Sequence, residues 1–144
     1  MTDVREAVLT RLVEVVGTIT NLRSAHRNNV DITEDQLPAA LVFDGDEETV
    51  AGNDGSRPSN RPLQVEMTPE IVIAPSGGAA NDLATLRVEL IQRVLFDAGL
   101  NALVGGNGKI SFVSMQTDYG WGRSMQGALL AQFTFKYTLK PNDL

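Results

Sequence analysis

Several short stretches of the chain hold residue types whose spacing invites a chemical reading. Asp44, Asp46 and Glu48 stand two apart, like the first, third and fifth ligands of a calcium loop. Such a loop also needs glycine at its sixth position and glutamate at its twelfth, and those places hold Thr49 and Gly55. The stretch therefore reads as solvated acid, with a weak divalent-ion site across a subunit boundary as its alternative. Gly105-Gly106-Asn107-Gly108-Lys109 invites comparison with a phosphate-binding loop. The glycine expected five positions before Gly108 is Leu103, and Ile110 follows the lysine in place of Ser or Thr. These glycines suit a tight turn, where they supply positive φ. Ser76 lacks the surroundings of a nucleophile elbow, and His26 lies in a polar stretch with no partner at a catalytic spacing. Glu66 and Glu70 flank a strand break without forming an acid–base pair. No residue receives a catalytic role, no cofactor is expected, and the chain reads as a building part, not an enzyme.

Trp121 and Arg123 are of a different kind. Both residue types are enriched at the energetic centres of protein interfaces. Gly120 and Gly122 let the backbone turn sharply around the indole. The competing reading makes Trp121 a cap on the domain core.

The whole chain bounds these options. At 144 residues it can bury a core as one domain, 1–144, without metals or disulfides. The absence of cysteine excludes thiol chemistry and disulfides, and a single histidine excludes a multi-histidine metal site within one subunit. No apolar run approaches the ~20 residues of a membrane span, and the N-terminal residues do not read as a secretory signal, so cytoplasmic synthesis is expected. The formal charge is −6, and no Lys or Arg lies between Arg27 and Arg57, where eight Asp and Glu residues fall. Acidic chains grip nucleic acid poorly, because phosphate affinity comes from Lys and Arg displacing counterions.

The elements that must position these residues follow from periodicity. Asp3 and Glu6 open a first helix, with Val4, Val8, Leu12, Val15 and Ile19 at helical spacing and Gly17 at its end. Residues 20–35 read as a connector. Ala39–Phe43 forms a short strand that the acidic residues break, and 44–62 reads as an extended loop or arm. Leu63, Val65, Met67, Ile71 and Ile73 alternate around Thr68-Pro69, which implies an edge strand, a bulge or two short strands. A second helix runs from a cap at Asn81 or Asp82 through Leu83, Leu86, Leu90, Val94 and Ala98, and stops at Gly99. A strand from Lys109 to about Met115 precedes the clearest strand of all. There Leu129, Ala131, Phe133, Phe135, Tyr137 and Leu139 alternate with polar residues until Pro141. The result is one α+β domain: two helices packed on a mainly antiparallel four-stranded sheet, with a long acidic loop.

Within that frame the segments Arg93-Val94-Leu95-Phe96-Asp97, Ile110 to Asp118, Arg123-Ser124-Met125-Gln126-Gly127-Ala128 and Phe133 to Leu139 are similar to the tail terminator proteins of long-tailed bacteriophages, the minor tail protein U-like group. The likeness extends more loosely to the first helix and to Leu63–Ile73. It implies a virion protein, made in the host cytoplasm, that assembles as a hexameric ring. Such a ring closes the head-proximal end of the tail tube and joins it to the head–tail connector. DNA passes the lumen without specific binding, and carboxylates there repel phosphate. Another neck or tail-completion protein is the nearest alternative, and a peptide- or ligand-binding module around Trp121 a more distant one. The residues expected at subunit or partner contacts are Asp44, Asp46, Glu47, Glu48, Arg57, Arg61, Trp121, Arg123 and Lys136. In a ring, one subunit's acidic loop would meet the basic last strands of the next, which carry Lys109, Lys136 and Lys140.

Overall fold

The computed structural model describes residues 3–29, 31–50, 62–74, 83–106, 108–118 and 128–141. Helix α1 spans Val4–Gly17, and Asp3 caps it by accepting the Glu6 backbone N–H at 3.2 Å. That bond satisfies one of the orphan donors every helix start carries. Val8, Leu9, Leu12, Val15 and Val16 are buried along one side. Helix α2 (Leu83–Leu95) contributes Leu83, Leu90 and Val94 to the same core. The expected stop at Gly99 falls earlier: α2 ends at Leu95, and a short α3, Ala98–Leu103, starts anew behind Asp97. The Asp97 carboxylate accepts the Leu100 N–H at 2.8 Å, which makes the break a capped helix start.

Among the described residues five strands, one more than expected, form a single sheet: β1 (Ser24–Arg27), β2 (Ala39–Thr49), β3 (Leu63–Ala74), β4 (Ile110–Asp118) and β5 (Ala128–Leu139). Their spatial order is β1-β2-β3-β5-β4. The four longer strands pair antiparallel, as expected, and β1 adds a parallel pairing with Ala39–Val42 that makes the sheet mixed. β1 lies inside the stretch expected to be a connector. Its four residues are all half-buried and show no alternation, so periodicity could not reveal it.

On β3 and β5 the alternation is realised. Val65, Met67, Ile71 and Ile73, with Leu129, Ala131, Phe133, Phe135 and Tyr137, are buried under the helices. Each large side chain of this set stabilises the fold by about 1.5–3 kcal/mol through removal from water. The opposite face bears Gln64, Glu66, Thr68 and Glu70 beside Gln132, Thr134, Lys136 and Thr138. Among the described residues no helix covers it.

The acidic residues do not break β2, which continues to Thr49. The expected loop is thus a strand as far as residue 49, and residues 51–61 lie outside the described set. The register shifts between Phe43 and Asp46, a bulge centred on Gly45 with φ +69°. A Cβ at this position would lie 2.0 Å from the Thr68 carbonyl oxygen, so only glycine allows the two strands to approach. The bulge faces Thr68-Pro69 and lets a proline, which has no N–H to donate, sit inside a central strand.

Candidate assembly surface

The bulge also sorts the acidic residues. Strict alternation would place Asp44, Asp46 and Glu48 on one face, but the extra residue at Gly45 shifts the phase. Asp46 and Glu48 pair with Thr68 and Glu66 on the uncovered face, and Glu47 pairs with the buried Met67 on the helix side. Asp44 turns to the helix side as well, where it meets Arg5 and Arg27. The calcium-loop spacing therefore does not converge on a common point. Among the described residues no three His, Asp or Glu side chains gather as a metal site requires.

Asp44 belongs to a structural knot. The Arg27 guanidinium donates to both of its oxygens at 2.9 and 3.0 Å, and also to both oxygens of Glu6 on α1. Charge-assisted, forked bonds of this kind tie β1, β2 and α1 together. Hydrogen bonding from Arg27 holds the carboxyls of Asp44 and Glu6 below their usual range. A second knot joins α1 to α3. Arg11 donates to Asp97 at 3.0 and 2.8 Å and holds its pKa down, helped by the Leu100 N–H. Gly99 leaves room for it, since a Cβ there would lie 2.8 Å from the Arg11 Nε. Glu47 differs: burial pushes its pKa up, although the Tyr137 hydroxyl donates to it.

Asp46 and Glu48 are exposed and take part in no ion pair among the described residues. Glu48 stands beside Glu66, and Lys136 stands on the far side of Glu66 in the next strand. Glu70, two rows on, accepts from Gln132 at 2.9 Å. Among the described residues four carboxylates and one lysine thus share the uncovered face, from β2 across β3 to β5. Arg57, Arg61, Trp121 and Arg123 lie outside the described residues.

A second surface escaped the sequence reading. Among the described residues the exposed large apolar side chains are Val88 on α2, Phe96 just after it, and Phe112 and Val113 on β4. Phe96 is 78% exposed. A groove of about 580 Å³ beside it is lined by Leu95, Phe96, Ala98, Asn101, Gly108 and Ile110. The register shifts between Phe112 and Ser114, so Val113 is the extra residue of a bulge. Phe112 stays on the core side and tilts against Phe133 with ring centres 5.6 Å apart. Adjacent apolar residues in a strand that alternates were the available signal, because two neighbours cannot both face one core.

Compared with known proteins, the chain matches no protein-family model and no curated sequence. Among the described residues no helix is long and apolar enough to cross a membrane.

Proposed function

We propose that this protein is a structural subunit of a long-tailed bacteriophage, a tail terminator that forms a hexameric ring at the head-proximal end of the tail tube. The observation that carries the reading is the uncovered sheet face, where the described residues set Asp46, Glu48, Glu66 and Glu70 against Lys136. A channel for DNA needs walls that do not adhere to phosphate, and fixed carboxylates supply that repulsion. The resemblance of Arg93–Asp97 and the last two strands to tail terminators supplies the class of assembly. Its partners are further copies of itself, the tail tube protein and the head–tail connector, and its place is the neck of the virion.

Native mass spectrometry with negative-stain imaging, with and without divalent ions and purified tail tubes, tests this reading. Rings of six, free or seated on tube ends, are expected. A chain that remains monomeric and leaves tube ends bare rules the reading out. A neck protein of another kind would form rings that bind the connector yet leave the tube free to elongate.

A further inference from the structure

The two lateral edges of the sheet differ in a way that suits each to the other. At one edge lie β4 and α2, with Val88, Phe96, Phe112 and Val113 exposed. Arg87 and Lys109 belong to this edge and make no ion pair among the described residues. At the other edge lie β1, its connection to β2 and the distal half of β2. Asp31 and Glu34 fall in that connection, likewise in no ion pair among the described residues. β1 covers the outer side of β2 only along Ala39–Val42, and the Asn28 side chain reaches Asp44. Gly45–Thr49 therefore keeps an outer edge without a strand partner among the described residues. The outer edge of β4 has no strand partner among the described residues either.

The strand directions add a geometric constraint. β2 and β4 run in opposite senses, since three successive antiparallel pairings separate them. A second copy shifted sideways, without being turned over, brings its β2 edge alongside β4 in the antiparallel sense. Such a head-to-tail contact is heterologous, and repeated with a fixed rotation it closes a ring. An isologous contact of β4 with β4 would instead set Arg87 and Lys109 against their own copies' basic edge.

We propose that the β4–α2 edge of one subunit docks on the acidic β1–β2 edge of the next. Phe96, Phe112 and Val113 lose their exposure in this contact, and Arg87 and Lys109 meet Asp31 and Glu34, which leaves Asp46 and Glu48 on the uncovered face. The free stretch of β2 is short, so the apolar patch supplies most of the affinity and the charges set direction and partner. The inference rests on the ring reading and names the surfaces that build the ring.

The test places a photo-crosslinker, Phe112→p-benzoylphenylalanine, in the full chain and mixes it with isotope-labelled wild-type chain during assembly on tail tubes. Irradiation is expected to join position 112 to labelled peptides from residues 23–49, while the same probe at Thr10, exposed on α1, does not reach them. Val113→Asp, at a residue already half exposed, is expected to keep the wild-type circular dichroism and raise the assembly midpoint by about tenfold or more. Rings that cross-link β4 to β4, or that tolerate Val113→Asp with an unchanged midpoint, overturn this contact and leave the ring reading standing. A chain that forms no rings under any of these conditions overturns both.

Discussion

Arg27 joins segments that the sequence keeps well apart, and its loss is felt in three elements. Arg27→Met leaves the Asp44 carboxylate without its forked donor, and a stability loss of about 1–3 kcal/mol is expected in urea unfolding at pH 7. The same groups set an acid limit. Asp44 and Asp97 have folded-state pKa values below their unfolded ones, so their contribution is complete above the unfolded value of ~3.9. It falls away as pH drops from about 5 through the lowered folded values. Glu47 runs the opposite way: its raised pKa favours the folded state at low pH, and that support is lost as pH rises through the folded value. Glu47→Gln should therefore raise the Tm at pH 7 and leave it nearly unchanged at pH 3. An equal gain at both pH values would remove ionisation as the cause. Gly45→Ala should cost about 2 kcal/mol or more, because the new Cβ meets the Thr68 carbonyl and φ is positive.

At the scale of elements, the β2–β3 hairpin holds itself together through pairing on both sides of its bulge. Replacing residues 51–61 with a short glycine-containing turn should preserve the unfolding free energy within about 1 kcal/mol, since a shorter connection between β2 and β3 costs little closure entropy. A deletion that begins at Asp46 should cost more, since it removes paired residues of β2. Thermal unfolding of the two deletions separates these outcomes, and equal stability would contradict the assigned end of β2. What the sequence disclosed here depended on burial geometry. β3 and β5 are covered on one face, so every second residue had to be apolar, and both strands and α1 were legible from spacing. β1 was not, because its partner is another strand at long range and none of its four side chains is fully buried. The acidic stretch misled for a related reason. A strand whose residues mostly face solvent carries no apolar alternation, and a bulge removes what phase remained. The Arg11–Asp97 pair, 86 residues apart, left no local trace at all.

For the whole molecule, the sheet has one face filled by helices, one face lined with carboxylates, and edges of opposite character. A ring built through those edges should be both apolar and ionic. Raising ionic strength toward ~1 M, where screening shortens to ~3 Å, should weaken assembly without dissolving it, as sedimentation velocity would report. An assembly strengthened by salt at all concentrations would leave no role for the charged edges. If copies of this chain close into a ring on the tail tube, the number of copies at a tube end is fixed. Native mass spectrometry of the chain with purified tubes, read beside negative-stain images, is predicted to give six copies per tube end. A lone subunit that binds no tube would contradict it.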